Sequence, residues 1–310
     1  MDKKDKIYIA GHTGLIGYSL VSKLKNLGYK NLLVSSSQQL DLVNQNSTEE
    51  FFKKERPDYV FMVAGKSGGI VVNNNRPVDF IYPNVMMEFN VINASFKYKV
   101  KKLLFMACGC VYPRDCPQPI KEEYLLLSKP EPTNITHTVA KLAGIVLCQS
   151  FNKQYGTNFI SVVSSNVFGP NDNFSSDSGH VIPSLLNRFH QAKIKNSPSV
   201  TIWGSGNVRR DFIYVDDVAD ACVFLMEKYN SSELINIGAG IDISIKELSF
   251  IIKEVVGFKG ELVFDTTKPD GMPKKLLDTT RILKLGWKPK FNLKDSLKLT
   301  YDWFLKSQNK

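Results

Sequence analysis

Short apolar runs alternate with longer amphipathic stretches along the first half of the chain. The runs are "KIYIAG" (Lys6–Gly11), "NLLVS", "YVFMVAG" (Tyr59–Gly65), "KLLFMAC" (Lys102–Cys108) and "FISVVSS" (Phe159–Ser165). Each is too short for a stable helix and rich in aliphatic and aromatic residues, which predicts buried strands. Between them apolar residues recur at helical spacing. "LIGYSLVSKLKNLGY" ends at the stop signal Gly28, and helices are predicted over Thr48–Lys54, Asp79–Lys97 and Thr133–Tyr155. Strands that alternate with helices form a parallel sheet covered on both faces. The fold class expected is α/β, a doubly wound parallel sheet.

After about residue 170 the pattern changes. A polar loop, "GPNDNFSSDSG", precedes a helix over Ile182–Ala192, short strands such as "VTIWG", and helices over Ile245–Val255 and Leu293–Leu305. "DFIYVDDVADACVFLMEKY" reads as a strand that enters a helix and rejoins the first unit. The expected division is a dinucleotide-binding domain of residues 1–170 with 212–238, and a smaller discontinuous α/β C-terminal domain of 171–211 with 239–310.

Composition narrows the function classes. An apolar fraction of 43% in 310 residues supports a sizeable core. No apolar run has the length of a membrane span. The opening "MDKKDKIYIAG" is charged and then strand-like, so neither a signal peptide nor a transit peptide is expected, and the chain is expected to be cytoplasmic. The five cysteines, Cys108, Cys110, Cys116, Cys148 and Cys222, are expected as reduced thiols. "CGC" at 108–110 hints at metal. The four scattered histidines supply no matching ligand spacing, so no metal is expected. The net charge of +10 attracts anions. Its lysines are spread along the chain and no zinc-finger or RNA-binding signature is present, so a phosphorylated small molecule is favoured over nucleic acid.

"GHTGLIG" carries the strongest local chemistry. Gly11, Gly14 and Gly17 follow the first strand and open a helix, where glycine lets the backbone approach a pyrophosphate held at the helix N-terminus. After the second strand, "VSSSQQLDL" offers Ser35, Ser36, Ser37 and Asp41, with neither an arginine for a 2′-phosphate nor an acid directly after the strand for a free ribose. The choice between NADP and NAD stays open.

The GxxGxxG spacing resembles the extended short-chain dehydrogenase/reductase superfamily, with its Rossmann-type sheet. Nearly the whole chain resembles the GDP-L-fucose synthase family through "IAGHTGLIG", "AGKSGGIVVNNNRPVDFIY", "EPTN…AKLAG", "NVFGPNDNF", "SGHVIPSLLNRFH", "WGSG…RRDFIYVDD" and "TKPDGMPKKLLDTTR". The resemblance implies two reactions on a GDP-linked 4-keto-6-deoxy sugar. In the first, a cysteine and a histidine exchange protons at C3 and C5, beside the acidifying C4 ketone; the matching residues are Cys110 and His180. In the second, hydride from a nicotinamide reduces C4 with help from a serine, a tyrosine and a lysine. Lys141 matches the lysine, whereas His137 stands at the tyrosine position and Cys108 at the serine position. Taken singly, Cys110 reads as packing and His180 as a helix cap; their joint placement in two motifs makes them catalytic candidates.

The resemblance also implies cofactor contacts from Gly11, Gly14, Leu15, Ile16, Gly17, Asp41, Ala64 and Lys141. Substrate contacts are implied for Asn166, Arg188, Trp203, Arg210 and Lys275, with "VVNNN" near the sugar nucleotide. It implies a homodimer through the helices of Asp79–Lys97 and Thr133–Tyr155. A thiol is a poor donor to an oxyanion, and Lys141 next to His137 opposes a second positive charge. The expectation is therefore an epimerase whose C4 reduction is impaired or absent, with the cofactor bound without net turnover. The alternatives are a bifunctional epimerase and NADPH reductase, or a non-catalytic subunit that holds a nucleotide sugar.

Overall fold

The computed structural model describes residues 1–68, 75–175, 179–268 and 270–308. Six strands form its main sheet: β1 (Ile7–Ala10), β2 (Leu32–Leu33), β3 (Tyr59–Met62), β4 (Lys102–Cys108), β5 (Phe159–Ser164) and β10 (Ile235–Ile237). Their order is β10-β5-β4-β3-β1-β2, and every pairing is parallel. Strand residues alternate between two cores. Tyr8, Val60, Leu103 and Phe105 point into one, and Ile7, Ile9, Phe61, Leu104 and Met106 into the other. Both sides are buried, which is why the strands read as unbroken apolar runs.

Helices α2 (Gln45–Glu55), α3 (Val78–Lys97) and α4 (Ile135–Tyr155) cover the first face with Phe52, Val91, Ile92, Ile145 and Cys148. Helices α1 (Leu15–Asn26) and α6 (Val215–Lys228) cover the second with Leu20, Leu24, Val218 and Cys222. Two expectations shift in detail. The second strand pairs over two residues only, because it lies at the sheet edge. The predicted helix over Thr133–Tyr155 begins instead with a tight turn over Pro132–Asn134, and α4 proper starts at Ile135.

A third core gathers α5 (Val181–Ile194), α7 (Ile245–Val256) and α9 (Leu293–Gln308) around Phe189, Leu248, Ile252 and Phe304. Small strand pairs flank it: β6 (Asn166–Phe168) with β9 (Phe212–Tyr214), and β7 (Ser199–Trp203) with β12 (Glu261–Asp265). β8 (Arg209–Arg210) lies between β11 (Ile243–Ser244) and β13 (Lys274–Lys275). The short α8 (Thr280–Lys284) packs near β10. Among the described residues no helix is long and apolar enough to cross a membrane.

One buried lysine ties the layers together. Lys102, at the start of β4, is 3% exposed, and its ammonium lies within 3.0 Å of the carbonyl oxygens of Leu225, Met226 and Tyr229 and of Asn230 Oδ1. It thus caps the C-terminus of α6, where the last carbonyls lack helical partners and the dipole is negative. Replacing Lys102 with Met strands those acceptors, and the loss expected in urea unfolding is about 2–3 kcal/mol.

Candidate active site

The site forms where the C-terminal ends of β1, β3 and β4 meet the start of α4. Ligands of open parallel sheets bind at that edge. At the end of β1, Gly11 has φ +94°, and a Cβ there would lie 2.6 Å from Ala64 Cα, just past β3. A Cβ on Gly17 would lie 2.1 Å from the Gly11 carbonyl oxygen. Helix α1 begins after Gly14 with no side-chain cap, so the amides of Leu15 and Ile16 open its N-terminus toward this loop. Asn171 donates to the Thr13 carbonyl at 2.7 Å and fastens the loop from the far side. A backbone cradle that any side chain would fill fits a dinucleotide pyrophosphate. Asp41 is exposed and accepts from the Val43 amide, so it shapes a turn.

Cys108 closes β4 and Cys110 lies in the tight turn Gly109–Val111 that follows. Their sulfurs are 2.8 Å apart. The hydrogen bond from Cys110, with His137 and Lys275 nearby, holds the Cys108 thiol well below its ordinary range. The same pairing and burial push Cys110 up. Of the two thiols, Cys110 therefore holds its proton the more tightly. The Cys110 side chain is buried in the core cluster, yet it forms part of this polar group.

His137 and Lys141 share a face in the first two turns of α4, one helical step apart. Lys141 Nζ is 3.0 Å from Glu88 on α3, and both groups are buried. Gly144 lets the helices approach, since a Cβ there would lie 2.9 Å from Glu88 Oε2. Asn84, also on α3 and fully buried, accepts from the Lys66 amide at 2.7 Å and donates to the Lys66 carbonyl at 2.9 Å. These two bonds fix which end of its amide is nitrogen. That nitrogen lies 3.4 Å from His137 Nδ1. With this contact as a hydrogen bond, Nδ1 accepts and the ring proton lies on Nε2. Neither Asn84 nor Glu88 was expected from sequence; the one available signal was polar residues inside the apolar stretch of α3.

His180 precedes α5, with its side chain half exposed. Asp172 beside it, and Cys108 farther off, hold its imidazole above the ordinary range. Lys275 on β13 packs against Gly109 and acts on both thiols. Arg188 donates to the Thr201 carbonyl at 2.8 Å and lies 5.8 Å from the centre of the Trp203 ring, which is 56% exposed. Arg210 donates to the carbonyls of Arg209 and Met272, and burial lowers its pKa to about 10. Among the described residues neither arginine forms an ion pair. Asn166 donates its side-chain amide to the Asp211 carbonyl at 2.8 Å, a bond within the framework. Of "VVNNN", only Asn75 falls within the described residues.

Several comparisons bear on this geometry. The model of the NAD dependent epimerase/dehydratase family matches residues 7–238. GDP-L-fucose synthase 1 of Arabidopsis thaliana is 48% identical over 99% of this chain and 95% of its own. The GDP-L-fucose synthase of Escherichia coli K12 is 44% identical over 99% and 98%. A GDP-mannoheptose C4 reductase of Campylobacter jejuni, solved with NADP bound, is 43% identical with a TM-score of 0.90, covering 98% of this chain and 99% of that one.

These likenesses overturn the expectation of an epimerase whose C4 reduction is impaired. End-to-end similarity to synthases, and to a C4 reductase, favours a chain that keeps both reactions. One of the two physical grounds for the expectation also fails, whereas the weak donor strength of the Cys108 thiol stands. That ground held that His137 could act as an acid only when charged, which Lys141 would oppose. Glu88 compensates Lys141, and an imidazole presenting Nε2–H donates without being charged.

Asp211 yields a pH test of how the site is braced. Its backbone joins Asn166 and Lys275, and its fully buried carboxylate accepts from the Ala239 amide. Burial raises its pKa from 3.8 to about 7. The folded state therefore holds a proton that the unfolded chain releases, and this stabilisation is lost as pH rises through about 7. In thermal melts across pH 4 to 8, Asp211→Asn is expected to remove that decline; the same slope in both proteins would contradict the assignment.

Proposed function

Since the chain belongs to the NAD dependent epimerase/dehydratase family, in its GDP-L-fucose synthase branch, we propose that it converts a GDP-linked 4-keto-6-deoxy sugar by epimerisation at C3 and C5 followed by NADPH-dependent reduction at C4. The observation that carries this reading is the meeting of Cys108, Cys110 and His137, their ligating atoms within 4.8 Å of one another, beside the Lys141–Glu88 pair.

In the first reaction the thiol pair acts as one unit. When Cys110 passes its proton to Cys108, its own sulfur becomes a base for the C–H bond beside the ketone. His180, whose charged form Asp172 favours, returns a proton on the opposite face. In the second, the reduced nicotinamide supplies the hydride to C4 when bound. His137 Nε2–H donates to the oxygen as negative charge builds there, the task of an oxyanion-hole donor. Lys141, held by Glu88, would help hold the cofactor. Arg188 and Arg210 receive the diphosphate and Trp203 offers a flat face to sugar or base. NADP is favoured over NAD because no carboxylate directly follows β2 to repel a 2′-phosphate, and because the C. jejuni relative was solved with NADP.

Exposed apolar residues support a homodimer. Tyr82 and Phe89 on α3, and Val139 and Val146 on α4, recur at seven-residue spacing and are 37–59% exposed. Such stripes on adjacent helices suit an isologous four-helix contact. By light scattering the protein is expected to be a dimer, and a Phe89→Glu, Val146→Glu double variant a monomer. A monomeric parent protein would remove this part of the reading.

With GDP-4-keto-6-deoxymannose and NADPH in heavy water, cofactor oxidation is expected together with deuterium at C3 and C5. His137→Phe is expected to lower the rate of oxidation about 10²–10³-fold while exchange persists. Cys110→Ala is expected to suppress exchange. Deuterium incorporation without any NADPH oxidation by the parent protein would refute the reading.

A further inference from the structure

Cys108, Cys110 and His137 bring two sulfurs and an imidazole nitrogen within 4.8 Å of one another. Spacing along the chain conceals this group, because His137 lies on α4, far in sequence from the two thiols. The set is two soft sulfurs and one imidazole at the wall of a substrate site, a donor count that leaves a fourth tetrahedral position open.

We propose that Cys108, Cys110 and His137 form a binding site for a thiophilic divalent cation, zinc above all, whose occupation arrests turnover. Each thiol releases its proton on coordination and the imidazole moves its ring proton from Nε2 to Nδ1, so two thiolates balance the dication and the neutral imidazole adds no charge. Lys275 favours the thiolates, and the charge of Lys141 is already met by Glu88. Sulfurs on one tetrahedral ion stand about 3.8 Å apart, given metal–sulfur bonds of about 2.3 Å. From 2.8 Å they must separate by about 1 Å, a change within reach of side-chain rotation. Arrest of turnover rests on the function proposed above, because the ion would take the thiol pair and His137 Nε2 away from the substrate. Binding itself does not depend on that reading.

Asn84 sets how tightly the ion is held. A histidine that ligates through Nε2 carries its proton on Nδ1 and wants an acceptor there. Here the Asn84 amide nitrogen faces Nδ1, with its orientation locked by Lys66. The outer shell thus opposes the ion, which makes the site one for reversible inhibition. A carboxylate at position 84 would reverse this and tighten binding.

Cobalt(II), titrated into the full-length protein as a spectroscopic probe, tests binding without reference to activity. A thiolate-to-cobalt charge-transfer band and visible bands of tetrahedral intensity are expected, saturating near one equivalent and bleached by zinc. Cys108→Ala and His137→Ala are each expected to weaken binding more than about 100-fold, exceeding the 10–100-fold typical of an outer-shell loss. Cys116→Ala, which lies outside the group, should leave binding unchanged and so guard against nonspecific thiol effects. Asn84→Asp should tighten binding about 10–100-fold. Absence of the charge-transfer band in the parent protein, or equal affinity in Cys108→Ala, overturns the site. Bands with full turnover at saturating zinc would overturn the arrest alone, and absence of turnover without metal would count against the proposed function instead.

Discussion

Asn84 cannot turn over. Its carbonyl accepts from the Lys66 amide and its amide donates to the Lys66 carbonyl, so exchanging the two ends would break both bonds in a fully buried position. This constraint, set by the loop after β3, reaches the chemistry through one further contact, to His137 Nδ1. It decides which nitrogen of that ring holds a proton and therefore what the ring does. A donor that needs no charge can stand where the related enzymes are expected to use a phenol.

The second support is the Lys141–Glu88 pair. A buried carboxylate is costly unless paired, and so is a buried ammonium. Neither helix could bring its charge inside alone. Gly144 permits the approach, Phe105 lies against Lys141, and the pair joins α3 to α4. Electrostatics in this pocket is therefore local compensation. Lys141 answers to Glu88, His180 to Asp172 and Cys108 to its neighbours.

Much of the fold was legible because parallel strands buried on both faces leave an unmistakable record: runs such as "KLLFMAC" whose alternate residues fill opposite cores. The glycine loop was equally plain, since Gly11 and Gly17 occupy positions where a Cβ would strike backbone. Sequence also singled out Cys108, Cys110, His137, Lys141 and His180 through their motifs. What it could not supply was the partner of each. Glu88 and Asn84 lie on a helix far from His137 in sequence, and without them the like-charge argument at Lys141 led to the wrong conclusion about reduction. Asp41 and Asn166 show the converse: both are suitable ligands by type, yet their described hydrogen bonds serve a turn and a strand junction.

The protonation of one ring nitrogen therefore carries the account. Nitrogen-15 NMR of histidine-labelled protein at neutral pH, with His137→Gln used to assign the resonances, reads it directly. The account predicts that His137 is neutral with its proton on Nε2. A proton on Nδ1 in the metal-free protein, or on both nitrogens, would contradict it.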